Sequence, residues 1–315
     1  MSLLVGIDAG QTGIRAALSD GTVGEPVAGV PRMEHDLGPD DVATALLAGV
    51  AGLGLAARGG EIAGIGIGLS GFELISAAEM QRIAARIRAR LDTGAPVAIA
   101  TDGITSLLGA LGAPRAGVVV ASGTGVVVLG HDGGERWAHV DGWGSLLGDD
   151  GSGFAIGQAG LRAALRAHDG RDGSQPLLAA AEARFGPIAG LPAAILRDTT
   201  PTSRVVASFA PAVAEAAAGG DVTARNIWTK AGEDLAHSAI AALHRLFSPG
   251  VPADVALLGN VWNAGALLRE PFERELIRRW PAARVVPAAG TSLDGAVVLA
   301  GEDSIGTVAG LAWRG

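Results

Sequence analysis

Two short glycine-rich turns, each set between apolar runs, constrain this chain more than any other feature. The first, Gly10-Gln11-Thr12-Gly13, separates residues 3–8 from 14–18; the second, Ser122-Gly123-Thr124-Gly125, separates 118–121 from 126–129. Apolar runs joined by so few residues read as β-hairpins. Their match in form reads as an imperfect internal repeat, and so as two related half-folds facing each other across a cleft. The first copy carries an acid, Asp8, where the second has Val120. Backbone N–H groups at such turns can face an anion, with Thr12 and Thr124 adding hydroxyls. An ordinary pair of glycine hairpins is the plainer alternative.

The rest of the chain fits around these hairpins. Apolar strand patterns at 27–30, 62–69, 96–100, 255–258 and 285–286 alternate with helical patterns at 40–55, 77–91 and 104–111. Later helices are expected at 154–166, 175–184, 205–218, 224–246, 267–279 and 293–301. Alternation of this kind implies parallel pairing beyond the first hairpin and an α/β fold. The chain's 315 residues leave room for two domains. The boundary is drawn near Pro114, giving domains 1–114 and 115–315, with the last residues free to pack back on the first.

Composition excludes several functions. With 49% hydrophobic and 18% charged residues, a large core is available. A net charge of −8 and no basic block argue against nucleic acid or an anionic membrane as partner. The absence of cysteine removes disulfides, thiolate metal sites, iron–sulfur clusters and cysteine nucleophiles. The one lysine, Lys230, follows no G-x-x-x-x-G pattern, so a P-loop is excluded. No G-x-S-x-G surrounds Ser70, and the six histidines show no metal spacing. With no basic, apolar leader and no run long enough to span a bilayer, a cytoplasmic protein is expected.

Candidate site residues stand at the ends of the apolar runs. Asp8 is placed to hold Mg²⁺ through water, or to cap its own turn. Asp102 ends the run 98–101, where α/β sheets present ligand-binding groups. It can act as a general base, or cap the helix that follows. Gly142-Trp143-Gly144 leads into Gly148-Asp149-Asp150-Gly151, and five glycines between 142 and 153 favour close approach of a ligand. Carboxylates on such a loop suit sugar hydroxyls; the alternative is a helix cap beside a core tryptophan.

Taken together, GIDAGQTG at 6–13, GLSG at 68–71, TDG at 101–103, ASGTG at 121–125, DGWGSLLGDDGSG at 141–153, LLGNVWN at 257–263 and GTSLDGAVVLAG at 290–301 resemble the actin, Hsp70 and sugar-kinase superfamily. Within it, the chain is most similar to the BadF/BadG/BcrA/BcrD ATPase family and to N-acetylglucosamine kinases. The resemblance covers nearly the whole chain and implies two ribonuclease-H-like, actin-like ATPase domains flanking a nucleotide and sugar cleft. It implies ATP and Mg²⁺, with Gly10, Gln11, Thr12, Ser122, Gly123, Thr124 and Gly125 at the phosphates. Asp8 would position the metal, and Gly259 and Asn260 would sit by the adenosine. Asp102 would activate the C6 hydroxyl of an amino sugar lined by Ser70, Gly71, Gly142, Trp143, Gly144 and Asp149.

Similar N-acetylglucosamine kinases carry an asparagine after the third strand, where this chain reads Val30-Pro31-Arg32-Met33-Glu34-His35. Glu34 would instead favour a cationic sugar such as glucosamine. The branch of the family that activates radical dehydratases needs cysteines and is excluded. Two rivals stay open: a kinase of another cell-wall sugar such as N-acetylmuramic acid, and a non-catalytic sensor that binds ATP or sugar on the same fold. Helices of the second half offer a face for a homodimer.

Overall fold

The computed structural model describes residues 2–10, 13–30, 38–55 and 61–315. Its strands, numbered in chain order, are β1 (Leu3–Ala9), β2 (Ile14–Leu18), β3 (Ile62–Leu69), β4 (Val97–Thr101), β5 (Gly117–Ser122), β6 (Val126–His131), β7 (Trp137–Val140), β8 (Ala253–Leu258), β9 (Ala283–Val286) and β10 (Ala312–Arg314). The α-helices are α1 (Pro39–Ala51), α2 (Ala77–Leu91), α3 (Asp102–Leu111), α4 (Gly153–His168), α5 (Gln175–Phe185), α6 (Leu191–Arg197), α7 (Thr202–Ala207), α8 (Ala210–Ala218), α9 (Val222–Leu246), α10 (Ala266–Arg279) and α11 (Ser292–Gly301). They divide into two compact units, one of Met1–Arg115 with Pro287–Gly315 and one of Ala116–Val286.

Each unit holds a five-stranded sheet. In the first, of order β10-β4-β3-β1-β2, β1 pairs antiparallel with β2 and parallel with β3, and β3 pairs parallel with β4. In the second, of order β7-β6-β5-β8-β9, β5 is antiparallel to β6 and parallel to β8. Both glycine turns therefore close a hairpin whose first strand also has a parallel neighbour. That is the pairing expected where strands alternate with helices.

The period-2 pattern of β3 shows how the first unit packs. Ile65, Ile67 and Leu69 point into a core shared with Ile7, Ile83 and Ile87. Gly64, Gly66 and Gly68 face the other way. A Cβ at Gly64 or Gly66 would strike the backbone of Ala296 or Ala300 in α11, and one at Gly68 would strike Thr105 in α3. The two helices meet through glycine as well: a Cβ on Gly109 would run into the Thr291 carbonyl, and one on Gly295 into that of Thr105. Helix backbone thus lies directly on strand backbone, which only the missing side chains allow. In the second unit, a larger core gathers Phe209, Trp228, Phe272 and Trp280 around β5, β6, β8 and the helices.

Several local expectations change. Residues 27–30 form no strand; Val27 makes a single bridge to Ile14. The helix expected over 205–218 is two, because Pro211 lies in the first turn of α8. A proline there lacks the N–H that a continuing helix would need and disfavours helical backbone just before it. Helix α1 stops at Ala51 rather than 55. Helix α6 and the short edge strand β10 had no signal in the hydrophobic pattern. No helix among the described residues is long and apolar enough to cross a membrane.

Gly66→Ala is expected to destabilise the protein by about 1–3 kcal/mol or more, as overpacking against an unyielding backbone does. Urea unfolding followed by circular dichroism measures it; an unchanged midpoint would show that α11 does not rest on β3.

Candidate functional site

In the first unit, parallel pairing sets the carboxyl ends of β1, β3 and β4 along one sheet edge, which is where such sheets hold ligands. Asp8, Ser70 and Asp102 all emerge there. The end of β3 is tied to β1 by Ser70 N–H donating to the Ala9 carbonyl at 3.1 Å. Gly71, at φ 81°, then turns the chain into a short 3₁₀ segment, Phe72–Leu74.

Asp102 is the first residue of α3, and the cap is its neighbour: Thr101 Oγ1 accepts from the Ile104 N–H at 3.3 Å. The capping role open to Asp102 in the sequence therefore belongs to Thr101. The Asp102 carboxylate is instead half-buried, and its Oδ2 accepts from Ser70 Oγ at 2.6 Å. Burial pushes this carboxyl above the ordinary aspartate range, since removal from water disfavours the charged form. The hydrogen bond from Ser70 opposes the rise, the negative charges of Asp8 and Glu73 add to it, and the Gly103 N–H opposes it.

Asp8 stands across the hairpin ladder from Arg15. Its Oδ2 accepts from Arg15 Nη2 at 2.5 Å and from Ser292 Oγ, at the start of α11, at 3.1 Å. Its Oδ1 has no partner among the described residues. Those residues contain no group of three or more His, Asp or Glu poised on a metal. A single carboxylate with one open oxygen still fits Mg²⁺, which keeps most of its waters and takes other ligands from phosphate. Gly10 N–H donates to the Gly13 carbonyl at 3.0 Å and closes the first turn. Gln11, Thr12 and Glu34 lie outside the described residues.

In the second unit, the turn after β5 is fastened to the start of α4. Gly153 N–H donates to the Gly123 carbonyl at 2.8 Å, and Phe154 N–H to that of Thr124 at 3.0 Å. Ser122 Oγ donates to the Gly151 carbonyl at 3.1 Å. Gly123 N–H closes the turn on the Gly125 carbonyl at 2.8 Å. The amides of Thr124 and Gly125 donate to nothing among the described residues. Gly259, at φ 97°, brings the end of β8 so close that a Cβ would collide with the Ser122 carbonyl. Asn260 starts the 3₁₀ segment Asn260–Ala264 beside it, and Trp262 Nε1 donates to the Val120 carbonyl at 3.2 Å.

The register corrects the repeat. The first hairpin closes with Ala9 opposite Ile14, the second with Ser122 opposite Val126. The second turn is therefore one residue shorter, and the counterpart of Asp8 is Ala121 rather than Val120. Burial agrees, because Asp8 and Ala121 are both partly exposed while Val120 is fully buried.

Residues 141–151 form a compact loop with Gly142, Gly144 and Gly151 near φ 80°. Asp149, itself at φ 62°, is 7% exposed and lies against the turn. A Cβ at Gly125 would come within 2.8 Å of its Oδ2. Trp143 is 71% exposed, so the core role open to it in the sequence does not hold. Asp141, Arg15 and Ser292 were not singled out from the sequence. The ladder position of Arg15 was inferable from the hairpin; the other two act across chain separations that no local pattern reports.

The first unit thus offers a carboxylate with raised proton affinity beside a second acid, and the second unit offers unpaired amides next to a glycine-shaped loop. A family model described as the BadF/BadG/BcrA/BcrD ATPase family matches residues 5–295. An N-acetylmuramic acid/N-acetylglucosamine kinase of Clostridium acetobutylicum is 29% identical over 188 residues, covering 59% of this chain. The chain spans 61% of the length of that curated relative. A Chromobacterium violaceum structure, solved as a candidate N-acetylglucosamine kinase, shares 30% identity at a TM-score of 0.70, covering 95% of this chain and 99% of that one. A ROK family glucokinase from Streptomyces griseus, solved with glucose and AMPPNP, is alike in fold, with a TM-score of 0.60 at 20% identity and coverage of 95% and 99%. The expected α/β fold of actin-like ATPase and sugar-kinase type is borne out.

Removing the hydroxyl in Ser70→Ala is expected to move the Asp102 titration to higher pH, because the bond that favours the carboxylate is lost. Carboxyl ¹³C NMR titration reads it directly. A midpoint that stays put or falls would mean that Ser70 does not support the charged form.

Proposed function

The chain belongs to the BadF/BadG/BcrA/BcrD ATPase family, and on that premise we propose that it is an ATP-dependent kinase of an amino sugar, N-acetylglucosamine or glucosamine, acting at the C6 hydroxyl. The observation that carries the reading is Asp102, a half-buried carboxylate at a strand end, bonded to Ser70 and raised in proton affinity. A base is most effective when its pKa lies closer to the working pH than an exposed aspartate's does.

In the proposed step, the C6 oxygen bonds to the γ-phosphorus of ATP as the bond from that phosphorus to the β–γ bridging oxygen breaks. The hydroxyl proton passes to Asp102, leaving the sugar 6-phosphate and ADP. Phosphoryl transfer asks mainly for positioning and charge stabilisation from the protein. Amides of Thr124 and Gly125 suit phosphate oxygens, and the Gly10–Gly13 turn, including Gln11 and Thr12, would share that role. Ser122 and Gly123, expected there too, have their hydroxyl and N–H bonded to the Gly151 and Gly125 carbonyls and would shape the turn instead. Gly259 and Asn260 would take the adenosine. Ser70, Gly71, Gly142, Trp143, Gly144 and Asp149 would line the sugar, with Glu34 favouring a free amine. Asp8 would hold Mg²⁺ through water, and the ion would supply charge neutralisation on the phosphates. The two relatives described as N-acetylglucosamine kinases support the sugar class. The Clostridium relative's description also names N-acetylmuramic acid, which keeps that sugar as the second reading.

Release of ADP assayed over a panel of hexosamines tests the reading, and no turnover with any of them would sink it in favour of a binding sensor. Asp102→Asn is expected to cut turnover by about 10²–10⁴-fold while ATP still binds; near-normal phosphorylation would rule out Asp102 as the base. Stability should move the other way. A carboxyl whose folded pKa is raised binds its proton more tightly in the folded state, so stability falls as pH rises from the ordinary aspartate value to the raised one. The charge is then a cost at neutral pH, and the asparagine variant should melt no lower than the wild type in differential scanning calorimetry.

A further inference from the structure

We infer that Asp141 is the positioning residue of the 142–150 loop, and that through the loop's shape it sets affinity for the sugar. The second half of this inference rests on the reading that the loop faces the sugar. Asp141 immediately follows β7, and its one carboxylate spans the loop's two ends. Oδ1 accepts from the Gly142 N–H at 2.8 Å and from the Asp149 N–H at 2.8 Å, and Oδ2 accepts from the Asp150 N–H at 3.1 Å. Bonds to an ionised acceptor are stronger than neutral ones, and here both oxygens are used.

Other holds on the loop are local: Ser152 N–H donates to the Asp149 carbonyl at 3.1 Å, and the Trp143 ring lies 6.1 Å from that of His139. Inside the loop, the Leu147 and Gly148 amides donate to the Gly144 carbonyl at 3.1 and 2.9 Å, which closes only a local turn. The large apolar side chains bury little: Trp143, Leu146 and Leu147 are 71%, 90% and 81% exposed. Both ends carry backbone cost: Asp141 and Asp149 sit at φ 58° and 62°, where side chains other than glycine are disfavoured. Such strain persists only where surrounding bonds enforce it. Gly148 makes room for the clamp, because a Cβ there would approach Asp141 Oδ1 to 2.6 Å. The geometry thus spends one carboxylate on arranging backbone. Asp141 sets where Trp143 stands and fixes the turn that seats Asp149 against Gly125.

The test compares wild type, Asp141→Asn and Asp141→Ala by hydrogen exchange with mass spectrometry and by calorimetric titration with N-acetylglucosamine and, separately, with ATP. Alanine removes every acceptor, while asparagine keeps one oxygen and offers an NH₂ group against the Asp150 amide. Exchange over 142–150 should quicken in both variants, more in alanine, with protection in α9 unchanged as evidence of folding. Sugar affinity should fall by about 10- to 100-fold in the alanine variant, the scale on which small misplacements of a binding group act, and by less in asparagine, with ATP affinity unchanged. Unaltered exchange in the loop would overturn the clamp. Faster exchange with unaltered sugar affinity, or equal losses for sugar and ATP, would overturn its part in sugar binding. A wild type that binds none of the hexosamines would instead defeat the proposed function, and the exchange data would still decide whether Asp141 holds the loop.

Discussion

The glycine turn of the second unit is held by two hydrogen bonds in which the first amides of α4 donate to the carbonyls of Gly123 and Thr124. Those amides have no intrahelical partner at a helix start, and the turn presents the carbonyls of Gly123 and Thr124 to them. The turn is then fixed from its carbonyl side, and among the described residues the amides of Thr124 and Gly125 donate to nothing. Contact with Asp149 on one side and the close approach of Gly259 on the other complete the arrangement. The turn and the helix start are thus bonded to each other, with the Asp149 carboxylate packed beside Gly125.

The first unit works by a different balance. Three carboxylates, Asp8, Glu73 and Asp102, share one region, and their mutual repulsion adds to the burial that raises Asp102. Arg15 and Ser292 neutralise and hold Asp8, while Ser70 holds Asp102. Burial and the neighbouring acids make the charge on Asp102 costly, and the hydrogen bond from Ser70 offsets part of that cost.

Much of this was legible in the sequence, for physical reasons that differ between elements. Hairpins at the two glycine turns follow from apolar runs joined by a few flexible residues. The convergence of Asp8, Ser70 and Asp102 follows from alternation, because parallel strands must end along one edge. What escaped was set by distance along the chain or by backbone conformation. Asp141 bonds to residues eight and nine positions away through two left-handed aspartates, and no periodicity encodes that. The shorter second turn shows only in the ladder. Strand β10 has three residues at a sheet edge, too few to carry a pattern. The break before α8 was written in Pro211 but masked by the alanines around it.

The glycine face of β3 has a further consequence, for the order in which the protein is made. Helix α11 and strand β10 complete the first unit, yet they come from the last stretch of the chain, Pro287–Gly315. A ribosome therefore releases every residue of the second unit before the first can be finished. Until then, Gly64 and Gly66 present bare strand backbone without the helix that covers them. The strands of the first unit thus wait for a helix that is made only after the whole of the second unit.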